Sequence, residues 1–381
     1  MDFAFSEAQQ RIENLCTKFA AEYIKQRVQL LEDDLSARQA LFRDMGKSGL
    51  MSLSLSKEFG GDDGGTLGYL LGISAIAKAD AGLAVAMAVT NMAAEAIARF
   101  GTESQRKNYL SKVAMGECVP LSFALTEKQA GSDPKSIQTS FKEDSEDSNF
   151  WLLNGEKQFI TNGDIAGALI VFAKDTAHEP QGAISAFLVD RGAPGLKVIK
   201  KESKLGLLTA NLVSLRFDNC RISKQQLLGK RGGGLKIALS SLDSGRLGIA
   251  AQSIGIAEAA FEAALIFSKE RRQFGHPIGE NQAIAFKLAD MCVKLDAAKL
   301  LAYRAAWMKD QKQAYTKEAS EAKLFCSEIC NEIAAEALQI HGGYGYIKDY
   351  PVEKYFRDAR VTTLYEGTSE IQRIVISRHL H

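Results

Sequence analysis

The sequence predicts a multidomain α and β protein: helices, then a β unit, then helices again. Three observations predict this order. All six prolines lie at or beyond residue 120. Residues 1–117, rich in Ala, Leu, Glu and Lys, are therefore free of the residue that costs about 3 kcal/mol in a helix interior. Between 118 and 225 come short β-branched or alternating runs, "ALIVFAK", "AISAFLV", "LKVIKK" and "LVSLRF", with turn signals between them. From 226 to 381 the helical texture returns, with a proline-free stretch over 235–270 whose apolar residues recur near a period of 3.6.

Within the first part, the Gly-rich "FGGDDGG" (59–65) separates two groups of helices. In the second, "WLLNGEKQFITNG" places Asn154-Gly155 between apolar arms, the dipeptide that favours a type I′ hairpin turn. In the third, two further helices, around 280–313 and 316–340, follow the long one through short polar links. Short links imply antiparallel neighbours and a bundle. A chain of 381 residues exceeds one comfortable core, which agrees with this division.

Bulk properties exclude several classes. A net charge of +1 offers no footprint for nucleic acid or an anionic membrane. The most apolar run, "AGLAVAMAV" (81–89), is short of a membrane span. The start "MDFAFSEAQQ" resembles neither a secretory signal nor a transit peptide. A bacterial cytoplasm is expected, with a processed mitochondrial matrix protein as the alternative. Six scattered cysteines make no disulfide framework. Cys326 and Cys330 can share a helix face, but no further ligand completes a metal set. No strand leads into G-x-G-x-x-G and there is no P-loop, which argues against a Rossmann dehydrogenase. "KRGGGLK" (230–236) reads better as a lead into the long helix than as a phosphate cradle.

Six segments remain. "FALTEKQAGSD" (123–133) and "QFITNG" (158–163) pair small and hydroxyl residues with aromatics, which suits a flat ligand or an ordinary strand and turn. "KERRQFG" (269–275) places cations at a helix C-terminus, where the macrodipole alone accounts for them or where Arg271 holds a pyrophosphate. "LQIHGGYGY" (338–346) fits close backbone approach or a helix stop. In "VTTLYEGTSEIQ" (361–372), Thr363-x-x-Glu366 fits a capping box. Ser369-x-x-Gln372 fits it better one turn later, leaving Glu366 on the lead-in loop without a structural role. "DSGR" (243–246) puts poor helix formers inside the long helix, tolerable where something packs against Gly245. Asp243 and Arg246 at i,i+3 also fit a surface ion pair.

Together with "RRQFGHPIGENQ" and "DYPVEKYFRDAR", these segments in this order resemble the acyl-CoA dehydrogenases, and look closest to the short-chain, butyryl-type members. The resemblance covers essentially the whole chain. It implies an α-helical N-terminal domain, a middle β-barrel and a C-terminal four-helix bundle, with FAD bound in extended form. Phe123, Leu125, Thr126, Gly131, Ser132, Phe159, Ile160 and Thr161 would line the flavin. Arg271, Gln273, Phe274, Gln282, Gln339, Gly342 and Gly343 would meet the adenosine end from a neighbouring subunit, and Thr368 and Glu370 the phosphates. Asp243, Ser244, Gly245, Arg246, Gly367 and Ser132 would contact the acyl-CoA substrate. The implied assembly is a homotetramer, a dimer of dimers, passing electrons to an electron-transfer flavoprotein. No metal is implied.

The resemblance makes Glu366 the catalytic base. It would abstract the α-proton of the thioester while the β-hydride passes to the flavin, giving a trans-2-enoyl-CoA. Some members carry the base at the position of Gly245, where glycine cannot serve. Ala84 stands where the glutaryl-type enzymes have an arginine, which argues against dicarboxylic substrates. Lys128, the loop "LGLLTAN" (205–211) and Ser223 depart from the family pattern and bear on local loop shape. An oxidase, a carrier-protein-linked dehydrogenase and a non-catalytic FAD-binding protein on the same scaffold are the competing readings.

Overall fold

The computed structural model describes residues 4–176 and 183–380. Six helices open the chain: α1 (Glu7–Phe19), α2 (Val28–Asp33), α3 (Leu35–Lys47), α4 (Gly65–Ala79), α5 (Ala81–Phe100) and α6 (Glu103–Ala114). Their starts are encoded locally. Ser6 with Gln9, and Thr102 with Gln105, form reciprocal capping boxes, while Asp34 and Asp80 cap α3 and α5 with their carboxylates. The break at 59–65 does separate α1–α3 from α4–α6. Helix α5 is apolar nearly all round and correspondingly buried.

The β unit comprises β1 (Leu121–Ala124), β2 (Ser140–Glu143), β3 (Phe150–Thr161), β4 (Ala168–Asp175), β5 (Ile184–Asp190), β6 (Leu196–Lys201), β7 (Leu212–Ser223) and β8 (Leu227–Leu228). They form one sheet in the order β6-β7-β3-β2-β4-β5-β8, with β1 parallel to β4. Among the described residues the end strands β6 and β8 do not pair, so the expected barrel is not closed. Its edges are blunted instead: β8 is two residues long and β6 carries exposed Lys197, Lys200 and Lys201. A separate core of Phe141, Trp151, Phe187 and Phe217 fills one face.

Asn154-Gly155 is not a hairpin turn, contrary to expectation. It lies inside β3 at a bulge against β7. A Cβ on Gly155 would come 2.6 Å from the Thr139 Cα, so the glycine serves a close approach of neighbouring backbone.

The last part holds α7 (Gly234–Glu270), a hairpin of β9 (Arg272–Gln273) and β10 (His276–Pro277), α8 (Gln282–Asp310), α9 (Thr316–His341), α10 (Val352–Ala359) and α11 (Ser369–Arg378). Three long helices and two short ones thus follow the sheet. Helix α7 runs through the centre, packing on α9 and α8 and on α4 and α5 from the first part, so one core spans both helical parts. Helices α5 and α7 are long and apolar enough to cross a membrane. Core helices meet the same test, and 89% of the apolar window of α5 is buried inside the protein.

The unusual loop 205–211 is tied to both helical parts. The Leu207 N–H donates to Asp358 (2.6 Å), the Thr209 hydroxyl to Asp80, and the Arg38 guanidinium to Asn211 (3.1 Å). Lys354 bridges Asp80 and Asp358 at 3.1 and 2.5 Å. Cys326 and Cys330 are buried on α9, and no metal-ligating cluster exists among the described residues.

Candidate active site

Glu366 lies on the loop between a 3-10 turn (Arg360–Thr363) and α11. The N-cap of α11 is Thr368, not Ser369, and its hydroxyl accepts from the Ile371 N–H. Gln372 is thereby freed from capping. Its amide donates instead to the carbonyls of Glu366 (3.0 Å) and Gly367 (2.9 Å), and the Lys323 ammonium on α9 also donates to Gly367 O (2.8 Å). Glu366 and Gly367 have φ of +53° and +87°. Two consecutive left-handed residues turn the backbone sharply inward. For a glutamate this costs of order 1 kcal/mol and needs holding in place.

The turn lays the Glu366 carboxylate against α7 at Gly245. A Cβ at 245 would sit 2.6 Å from Glu366 Oε2 and 2.7 Å from the Met92 sulfur, so only glycine leaves room. Oε2 is sealed from solvent and has no hydrogen-bond partner. Burial pushes Glu366 up to about 7, against the opposing pull of Arg246 and Lys323. A carboxylate brought to neutral pH by desolvation, with an unsatisfied oxygen aimed into the fold, has the properties of a general base. The Glu366 N–H donates to no acceptor among the described residues.

The other α7 residues divide by face. Asp243 and Arg246 form an ion pair at 2.6 Å that is no surface feature, since Arg246 is buried. The pair is bound to the start of α9 through Thr316 (2.8 Å to Asp243) and Ser320 (3.3 Å to Arg246). Ser244 turns towards α5 and α8, where its hydroxyl donates to Glu95 (3.2 Å) and accepts from Lys309 (2.9 Å). One turn deeper, a Cβ at Gly248 would meet the Tyr69 hydroxyl at 2.6 Å. One turn beyond that, Gln252 accepts from the Tyr365 hydroxyl. Sequence reasoning misses Tyr69, Gly248, Gln252 and Lys323, and reads Gln372 only as a capping residue. The i, i+3 glycines of α7, and a lone lysine on the alanine and cysteine face of α9, were the available signals.

The strand-borne residues form a shelf. The Lys157 ammonium, fully buried, pairs with Glu127 (2.7 Å) and donates to Leu125 O (3.0 Å). Glu127 in turn accepts from the N–H groups of Gln138 and Thr139. This pins the segment holding Phe123, Leu125 and Thr126. Gly131 and Ser132 are exposed, with open space at Gly131. Phe159, at φ +59°, is 53% exposed, so it is not a core residue. Ile160 points its side chain into the sheet core, leaving only its backbone for a ligand, and Thr161 is half-buried.

At the far end of α7, Arg271, Gln273, Gly342 and Gly343 line a cavity of about 430 Å³ together with Phe267, His341 and Tyr344. The Arg271 guanidinium lies 5.2 Å from the Tyr344 ring. Phe274, at φ +54°, is 93% exposed, and Gln282 and Gln339 are exposed nearby in sequence without lining the cavity. Gly245 and the end of α7 are 25 residues apart, about 37 Å along a helix.

These features fit a dinucleotide with a planar ring. A shelf with an exposed aromatic and an open glycine suits the ring. The N-terminus of α11, with Thr368 beside it, presents free N–H groups for a phosphate. Glu370 is exposed and ionised, held low by backbone and Thr368 hydrogen bonds, and suits donors rather than phosphate oxygens.

Family models for the acyl-CoA dehydrogenase N-terminal, middle and C-terminal domains match residues 6–117, 122–220 and 232–381. An acyl-CoA dehydrogenase of Bacillus subtilis is 42% identical, covering 98% of each chain. The mitochondrial short-chain specific acyl-CoA dehydrogenase of Mus musculus is 40% identical over 98% of this chain and 90% of its own. Among solved structures, butyryl-CoA dehydrogenase from Megasphaera elsdenii superposes with a TM-score of 0.94 at 38% identity, covering both chains fully. An acyl-CoA dehydrogenase from Bacillus anthracis complexed with FAD gives 0.93 at 29% identity, covering 99% of this chain and 66% of that one. The chain belongs to the acyl-CoA dehydrogenase family, whose members are FAD-dependent oxidoreductases.

Proposed function

We propose that this chain dehydrogenates a short saturated acyl-CoA to its trans-2-enoyl-CoA, with Glu366 as the base that removes the α-proton. The observation carrying this is the Glu366 carboxylate itself: turned inward by two left-handed residues, seated over Gly245, and holding an unpartnered oxygen out of solvent. FAD, when bound, supplies the two-electron acceptor for the β-hydride. Residues 123–132 and 159–161 would hold its ring and the α11 N-terminus a phosphate, while Arg271, Gln273, Gly342 and Gly343 would hold the adenosine end.

The thioester α-proton is weakly acidic, so the growing enolate needs a donor at its carbonyl oxygen. The free Glu366 N–H supplies one, next to a glycine that lets the thioester come close. Asp243 and Arg246, fixed by Thr316 and Ser320, offer a rigid polar edge for the CoA moiety, with exposed Ser132 as a further contact. Chain length is limited by depth. Tyr69 closes over Gly248, one helical turn (about 5 Å) beyond Gly245, and the Tyr365–Gln252 bond closes the next turn. That leaves space for a few carbons past the reacting pair.

The site is completed by a second copy. The placement of the adenosine-end residues some 25 residues along α7 from Gly245 supports this reading. Helix α8 presents Phe286, Val293, Leu300 and Trp307 to solvent, each more than half exposed, at a seven-residue spacing suited to another helix. A homotetramer, reoxidised by an electron-transfer flavoprotein, follows from this reading.

The test is anaerobic mixing of FAD-loaded wild type and Glu366→Gln with butyryl-CoA. Wild type should bleach its flavin absorbance, and the variant should do so at least about a hundredfold more slowly. Equal rates would defeat the assignment. Faster turnover with a carrier-protein thioester, or rapid reoxidation by O₂, would move the chain to a carrier-linked dehydrogenase or an oxidase.

A further inference from the structure

We propose that Lys323 is a positioning residue for the base: its buried ammonium ties down the Glu366–Gly367 turn through the Gly367 carbonyl and places a positive charge next to that turn. The proposal rests on the reading of Glu366 as base and assigns a second residue to that site.

Lys323 is an unexpected residue for its place. It sits two turns into α9 on a face of Ala319, Ala322, Cys326 and Cys330, all fully buried, and is itself 0% exposed. An ammonium there loses its hydration and is normally found in an ion pair. Lys323 makes none within 4 Å among the described residues, and its one hydrogen bond goes to Gly367 O at 2.8 Å. The fold therefore carries a costly charge whose direct contact is the carbonyl beside the base. The groups around the carboxylate agree. Arg246 from α7 is engaged by Asp243 and Ser320. Met92 from α5 is apolar, and Tyr69 from α4 and Tyr365 on the same loop are neutral phenols raised by burial. Glu328 on α9 and Glu370 on α11 are more distant carboxylates that Lys323 also feels. Among the described residues, Arg246 and Lys323 are the cations that act on Glu366, and of the two Lys323 has no carboxylate partner of its own.

The ammonium has two separable roles. As a donor, it shares with Gln372 the task of holding the carbonyls that a left-handed glutamate presents. As a charge, it favours the carboxylate over the acid. Removing the charge makes Glu366 harder to ionise, so its titration moves to higher pH and less base is available at neutrality.

The experiment compares FAD-loaded wild type, Lys323→Met, Lys323→Gln and Lys323→Arg. One readout is infrared difference titration of the Glu366 carboxyl, its band assigned with Glu366→Gln. The other is the pH profile of single-turnover flavin reduction by butyryl-CoA. The Met and Gln variants should titrate about one pH unit higher than wild type. Their rates should fall about fivefold at pH 7 and recover at higher pH. The Arg variant should keep the wild-type inflection. The Gln variant, which keeps a donor for Gly367 O, should recover more fully at high pH than Met. Should Lys323→Met fail to fold, the Gln and Arg variants decide the question. An unchanged inflection in the charge-deleted variants, or a loss uniform across pH, overturns the proposal. If Glu366→Gln itself bleaches at the wild-type rate, the base assignment has failed instead.

Discussion

Replacing Glu366 with Gln should make the protein more stable, and only at neutral to alkaline pH. The carboxyl titrates at about 7 in the fold against an ordinary 4.5, because burial penalises the charge more than Arg246 and Lys323 favour it. The folded state therefore binds this proton more tightly than the unfolded chain. Between these two values the native protein holds more protons than the denatured one, so stability falls as pH rises through that window. Above pH 7 the full difference, about 3 kcal/mol, is carried as a destabilisation. A neutral amide of the same shape does not carry it. Urea denaturation of the flavin-loaded proteins at matched concentration should show Glu366→Gln more stable by about 3 kcal/mol at pH 8. At pH 5 the gain should shrink below about 1 kcal/mol, since the wild-type carboxyl is then mostly protonated in the fold. A gain independent of pH, or a loss at pH 8, would refute the claim that the base is held in a desolvated site.

Gly245→Ala places a methyl group into the volume of Glu366 Oε2 and the Met92 sulfur, and should cut butyryl-CoA turnover at least about tenfold while circular dichroism stays native. Tyr69→Ala removes the side chain closing the cleft at Gly248, so the ratio of kcat/KM for octanoyl- over butyryl-CoA should rise. Breaking the fully buried Lys157–Glu127 pair with Lys157→Met leaves a carboxylate unpaired and should cost about 3–5 kcal/mol in denaturant titration, with weaker FAD retention on gel filtration.

The order of helices, sheet and helices was legible because it rests on signals that act over a few residues. Proline placement and a 3.6 period operate within single elements, and α7 starts within a residue of its expected start. Asn154-Gly155 misled for a related reason. The dipeptide allows a tight turn, but a long-range contact with Thr139 and pairing with β7 took precedence over local preference. The open sheet was equally invisible, because closure depends on whether the first and last strands meet. Helix α11 starts one residue earlier than the capping pattern suggested. The difference matters, since it releases Gln372 to hold the turn that carries Glu366.

What the sequence left dark at the site is the set of residues defined by what they face. Gly245 was singled out as poor helix chemistry, yet its purpose depends on a glutamate 121 residues later that occupies the missing Cβ. Lys323 carried no motif, and its importance follows from burial and from a single carbonyl. Tyr69 and Gly248 belong to different helices, and their contact sets a depth that neither residue states alone. Motif reading singled out Glu366 because the proposed chemistry needs a particular residue type at a particular place. The tuning of that group is distributed over α4, α5, α7, α9 and α11, where many residue types fold equally well and only the packed structure shows which ones meet. Acyl-chain preference and the working pH of Glu366 should accordingly respond to substitutions on these five helices, none of which needs to touch the strand-borne shelf of the β unit.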